Sequence, residues 1–259
     1  MSLKRSHYYH LKGSTPIPEG WDGIRVGSET CTRLLPTSRD IRRISEEMDA
    51  GVLSLVTPVA GPDEVNDVLN IILTSAGLRW NEVVVNDWGI LDAAGGLEGI
   101  QITAGRLLMR FRRGPGAFDP WDELDLSSRR YLAWGPLYDS PFLALLKKKG
   151  VSRIELDLPR HWFPLPDLNG FRFSLHRGTR LISVSAACPW LYDTEKRAWN
   201  PTAGCDRTCT GHSDMVMTSP AVDGSLLLRG RAVLERVEVD TGELKLPDNV
   251  DRIIFDPVS

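Results

Sequence analysis

A parallel α/β barrel of the (β/α)8 TIM-like type, with extra strands late in the chain, is the fold class this sequence predicts. Three observations carry that prediction. Short apolar runs alternate with helix-like amphipathic segments, the pattern of parallel strands joined by flanking helices. Eight such runs favour a closed barrel over an open sheet, where a length of 259 residues fits either one barrel domain or two small ones. No repeat or low-complexity tract breaks the alternation, so residues 1–259 are expected to form a single barrel-like domain.

The elements follow in order. Tyr8–Leu11 supplies a first strand and Ile24-Arg-Val26 a second. Ile41, Ile44 and Met48 then recur at helical spacing between Thr37 and Met48, with Thr37 or Ser38 placed to cap. Val52–Val56 is a third strand. Pro62 opens a helix that carries Val65, Val68, Leu69 and Ile72 and ends near Gly77. Val83-Val-Val85 is β-branched throughout and reads as a strand buried on both faces. Ile100-Gln-Ile102 follows a glycine-rich turn. In the second half, Pro141–Lys149 is a short helix, and Arg153–Leu156, Phe171–Phe173 and Arg252–Phe255 complete the eight strands. Leu181–Val184 and Leu226–Leu234 read as added strands. Helices after the fourth to seventh strands are poorly marked, so the barrel is expected to be irregular.

Composition narrows the function classes. With 42% hydrophobic and 25% charged residues and a formal charge of -3, the chain exerts no long-range pull on nucleic acid or anionic membrane. Its first ten residues hold a basic pair but no apolar stretch like a signal sequence. No apolar run approaches the roughly 20 residues that cross a bilayer. The expected setting is cytoplasmic, without membrane insertion. Thiols stay reduced there, which favours metal or redox use of cysteine; two disulfides are the plainer alternative.

The cysteines are the feature richest in chemistry. There are four: an isolated Cys31, then Cys188, Cys205 and Cys209. Thiolates bind soft metals, and four complete a site. Each cysteine lies downstream of a candidate strand, on the side where the loops of a parallel barrel meet. The spacing leaves sixteen residues between Cys188 and Cys205 and three between Cys205 and Cys209, unlike the two-residue gaps of a zinc ribbon. Both zinc and a four-iron cluster accept four thiolates, and spacing alone leaves the choice open. The run Cys205 to His212 approaches the three-cysteine pattern of radical S-adenosylmethionine enzymes, but histidine stands in the third place and the position is too late in the chain. His212 reads first as a nearby polar residue, with a spare ligand as its alternative, and Trp190 is placed to shield a metal group beside Cys188.

Several segments carry a resemblance. Val26-Gly-Ser-Glu-Thr-Cys31-Thr-Arg33 resembles a Gly-Glu-Cys-Arg loop of UbiV-like proteins, members of the collagenase-like family first catalogued as unclassified (U32) peptidases. Asn86-Asp-Trp-Gly89 is similar to that family's strand-end motif. Thr103-Ala-Gly-Arg-Leu-Leu108, with Arg112-Arg113 and Asp119-Pro120 after it, is similar to its Gly-Arg-Leu-Leu segment. The triplet Cys188, Cys205, Cys209 matches the order of its late cysteines. The resemblance implies a [4Fe–4S] cluster on Cys31, Cys188, Cys205 and Cys209, with zinc as the alternative. It also implies a UbiU-like partner protein and an oxygen-independent hydroxylation of a ubiquinone precursor or similar aromatic small molecule. Peptidase chemistry gains no support, because no serine, cysteine or metal-hydrolase constellation is visible.

Other residues have two readings each. Asp87, Glu29 and Arg33 are candidates for catalytic contacts; Asp87 reads equally as a turn former before Gly89. Arg106, Arg112 and Arg113 are candidates for substrate binding, since planar guanidinium forks suit carboxylate, phosphate or an RNA backbone. The duller reading is a solvated charged face. RNA-base hydroxylation, and a non-catalytic metal-binding subunit of a heteromeric complex, stand as the alternative functions.

Overall fold

The computed structural model describes residues 5–11, 19–48, 51–109, 121–193, 195–199, 205–218, 225–237 and 244–256. Seven parallel strands come first: β1 (Ser6–Leu11), β2 (Gly23–Gly27), β3 (Val52–Thr57), β4 (Glu82–Val85), β5 (Gln101–Ala104), β6 (Val151–Asp157) and the first half of β7 (Arg172–Val184). Two short strands, β8 (Tyr192–Asp193) and β9 (Ala198–Trp199), pair with each other. Then come β10 (Met215–Thr218), β11 (Ser225–Arg229), β12 (Ala232–Val237) and β13 (Val250–Phe255). The order β7-β13-β1-β2-β3-β4-β5-β6 closes through a β6–β7 pairing, and every pair in that ring is parallel. This is the eight-stranded barrel expected, with each expected strand in place.

The helices at Ser38–Glu47, Val65–Ala76 and Ser140–Lys148 sit where the apolar spacing puts them, and those at Trp88–Ala94 and Leu126–Trp134 are not marked by it. α1 (Ser38–Glu47) is opened by a capping box in which Thr37 and Asp40 satisfy each other's backbone N–H groups. α2 (Val65–Ala76) follows a single 3-10 turn at Pro62–Glu64 and stops at Gly77. α3 (Trp88–Ala94) follows β4, and α4 (Leu126–Trp134) and α5 (Ser140–Lys148) both lie between β5 and β6. Among the described residues no α-helix follows β6, only the short 3-10 turns Pro189–Leu191 and Thr208–Gly211. No described helix is long and apolar enough to cross a membrane.

The added strands differ in detail from expectation. Leu181–Val184 is not separate: β7 runs on past the barrel, and its second half pairs antiparallel with β12. Leu226–Leu234 is two strands, because Gly230 takes φ +56 and turns the chain back into a β11–β12 hairpin. At Gly178, φ +93, β7 passes from the barrel to this second sheet.

Each barrel strand alternates. Ile24 and Val26, Leu53 and Leu55, Val83 and Val85, Ile154 and Leu156, and Phe173 and Leu175 face the helices and form the main apolar core. Their neighbours point inward. Inside the barrel lie Tyr8, Arg25, Ser54, Glu82, Thr103, Arg153, Glu155, Ser174, His176 and Arg252, all buried. A barrel lumen is commonly filled by branched aliphatic residues. This one is filled largely by charge.

Candidate metal centre at the barrel mouth

The lumen charges pair across the barrel. Glu82, at the start of β4, accepts from Arg252 of β13 at 2.7 and 2.9 Å, and from the hydroxyls of Ser54 and Thr103. Those contacts join strands on opposite walls. One layer nearer the strand ends, Arg25 donates to Glu155 at 2.7 Å. His176 lies between Glu155 and Asp256, 3.1 Å from each. Asp256 also faces His10 at 3.2 Å.

The mouth is closed by residues just past the strands. Arg106, following β5, donates to Glu29 at 2.6 Å, Asp157 at 2.7 Å and Asp256 at 3.0 Å. Burial is the largest single influence on the Glu29 carboxyl and would raise it, but Arg106, His176 and Arg25 together outweigh it and hold Glu29 down at about 2. Asp256 is likewise held well below the usual carboxylate range: burial opposes, and Arg106, His10 and His176 prevail. For His176, burial and Arg106 disfavour the charged ring, yet bonds to Asp256 and Glu155 raise its pKa above 6.5. Glu29, Glu155 and His176 bring ligand atoms within 4.8 Å of one another, the spacing of a cation site. Arg25 already occupies that charge niche, 2.7 Å from Glu155 and 3.6 Å from Glu29, so a metal ion there would meet a fixed positive charge.

The segments that carry the resemblance interlock. Asn86 donates to the Thr57 carbonyl at 3.0 Å and accepts from the Leu107 N–H at 3.1 Å, tying the ends of β3, β4 and β5. It stands so close to Gly105 that a Cβ there would fall 2.2 Å from the Asn86 Oδ1. Gly27, φ +123, presses against the Val56 carbonyl and turns the chain from β2 toward Glu29 and Cys31. Ser28 Oγ then accepts from the Thr30 and Cys31 N–H groups, fixing the loop that carries the first thiol.

The other three thiols arrive through the second sheet. The β7 extension leads to Cys188, and Arg231 braces that loop by donating to the carbonyls of Ser185 at 2.8 Å and Ala186 at 2.7 Å. Asp206 accepts from the Thr208 N–H, and Arg207 takes a left-handed φ of 61, bending the chain between Cys205 and Cys209. Trp190 stacks on His212 with ring centroids 4.8 Å apart, joining the two cysteine segments. All four cysteines are free and half-buried. Burial pushes the Cys209 thiol up to about 11, and charge on Cys188, Cys31 and Cys205 adds to it, so all four lie within electrostatic reach around Cys209. No three of them come within 4.8 Å of one another. Four soft, mutually repelling donors suit a soft cation, whose charge would reverse that repulsion.

The remaining candidates are dispersed. Asp87 caps α3, its Oδ1 accepting from the Gly89 and Ile90 N–H groups. Arg33 lines a groove of about 480 Å3 beside the Cys31 loop, with Thr32, Glu64, Asp67 and Asn70 among its other walls. Glu29 and Arg106 face each other inside the mouth. Arg112 and Arg113 lie outside the described residues. Sequence reasoning passed over Arg25, Glu155, His176 and Asp256. The signal was present in Ile24-Arg25-Val26 and Ile154-Glu155-Leu156: a charge flanked by apolar residues in a buried strand demands a partner inside.

No protein-family model matches the chain, and no curated protein matches it. A solved structure, that of the U32 peptidase Mk0906, is similar over 98% of this chain and 93% of its own, at 12% identity and a TM-score of 0.44. Likeness at that level identifies neither family nor chemistry.

Proposed function

We propose that Cys31, Cys188, Cys205 and Cys209 hold a [4Fe–4S] cluster at the barrel mouth, and that the chain serves an oxygen-independent hydroxylation of a ubiquinone precursor or similar aromatic. The observation that supports the reading is that Cys188, Cys31 and Cys205, the chain's other three thiols and drawn from segments more than 150 residues apart, all lie within electrostatic reach of Cys209. Zinc–sulfur bonds of about 2.3 Å draw four sulfurs to about 3.8 Å of one another. No three of these sulfurs lie within 4.8 Å of one another, and the choice of a cluster over zinc rests on the resemblance. When bound, such a cluster supplies one-electron chemistry. The chain's own part is to brace the two cysteine segments through Arg231 and the Trp190–His212 stack, and to half-bury the thiols against water. The aromatic substrate and a UbiU-like partner rest on the resemblance of the loops at Gly27–Arg33, Asn86–Gly89 and Thr103–Leu108.

Anaerobic purification or reconstitution, followed by iron and acid-labile sulfide assay, tests this. The expected result is about four of each per chain, with a broad charge-transfer absorption lost in each single Cys→Ser variant. A colourless protein carrying one zinc per chain would overturn it.

A further inference from the structure

Trp190 sits two residues after Cys188, in the 3-10 turn Pro189–Leu191, and its ring lies flat on His212, three residues after Cys209. The indole is therefore wedged between the segments that carry three of the four thiols. Its Nε1 is buried and has no hydrogen-bond partner among the described residues. Indole nitrogen is a donor only, and a buried unpaired donor costs roughly 1–3 kcal/mol. Apart from Trp190, the buried polar atoms lacking a partner belong to the lumen ion network and to Asn249. This one stands at the cysteines.

Resting on the cluster reading above, we infer that the Trp190 indole N–H donates a hydrogen bond to a sulfur of the bound cluster and sets its reduction potential. The fold leaves a donor without an acceptor between the segments that carry Cys188 and Cys209. A cluster brings sulfur acceptors and, when reduced, one more unit of negative charge. Hydrogen bonds to sulfur strengthen as that charge grows, so the donor stabilises the reduced state and raises the potential. Stacking on His212 holds the ring edge in place, so the bond needs no reorganisation on electron uptake. Trp190 is thus a tuning residue rather than a ligand.

The test compares wild-type, Trp190→Phe and Trp190→Ala proteins, each reconstituted anaerobically and titrated with dithionite while the reduced cluster is followed by electron paramagnetic resonance. Phenylalanine keeps the flat contact with His212 and removes only the N–H. At a fixed solution potential near the wild-type midpoint, the reduced-to-oxidised ratio should fall by about threefold to tenfold in Trp190→Phe. Trp190→Ala should shift in the same direction. A packing role predicts instead that only alanine has an effect; an unchanged midpoint in Trp190→Phe, with iron and sulfide at wild-type levels, overturns the inference and leaves the cluster standing. Wild-type protein that takes up no iron overturns both. Should the variants fail to load, ultraviolet resonance Raman of wild-type protein decides: the indole N–H band must shift between apo and loaded forms, and an unshifted band refutes the bond.

Discussion

His176 shows how one side chain records the balance of a whole lumen. Facing it are the carboxylates of Glu155, Asp256 and Glu29 and the guanidinium groups of Arg106 and Arg25. Burial and Arg106 push against the imidazolium, and the bonds to Asp256 and Glu155 win, so the folded pKa lies above 6.5. The folded state therefore binds the proton more tightly than the unfolded chain. That stabilisation is complete below pH 6.5 and disappears as pH rises through the raised value. Glu29 works in the other direction. Held at about 2 against an ordinary 4.5, it contributes fully above pH 4.5 and loses its contribution as pH falls toward 2. Urea midpoints measured across pH should be highest between those limits. In His176→Gln the midpoint should be lower at pH 6, and its alkaline decline should flatten. An unaltered alkaline decline would show that His176 does not carry it.

At the scale of the element, β7 is the strand that links the barrel to the site. Its first half pairs with β6 and β13 in the ring, and its second half pairs with β12 in the outer sheet. The passage occurs at Gly178, whose φ of +93 is strained for any other residue and whose Cβ would stand 3.3 Å from the Asp256 carbonyl oxygen. Gly178→Ala should cost about 1–2 kcal/mol of stability. The strain falls between the barrel and the arm leading to Cys188, so iron retention in a chelator challenge should drop more than barrel circular dichroism changes. Equal losses in both would place the strain elsewhere. The hairpin beyond was only half legible. Leu226–Leu234 is apolar enough to read as one strand, and Gly230 inside it is the mark of the turn.

For the whole molecule, the group proposed for Cys31 and the late thiols would join the second barrel strand to the outer sheet. A ligand bound by the folded state alone stabilises it in proportion to its occupancy, about 2.7 kcal/mol at a hundredfold excess over the dissociation constant. The reconstituted protein should therefore unfold at a higher temperature in anaerobic calorimetry than the chelator-stripped protein. Cys31→Ser should erase that difference while leaving the stripped protein's own transition near its wild-type position. A difference that persists in Cys31→Ser would detach the early thiol from the site.

What the residues alone determined was most of the local structure. Strand positions followed from apolar runs, and helices from the spacing of Ile41, Ile44 and Met48 and from Pro62; the four cysteines named a candidate metal set. Period and composition act over a few residues, so they are legible without a partner. Only the tertiary structure decided which charges meet. Glu82 and Arg252 stand 170 positions apart and touch across a closed ring, and Arg25 finds Glu155 the same way. The same closure turns Arg106 inward to three carboxylates. These pairings depend on barrel register and on the bend at Gly178, and electrostatic energy follows distance in space rather than position along the chain.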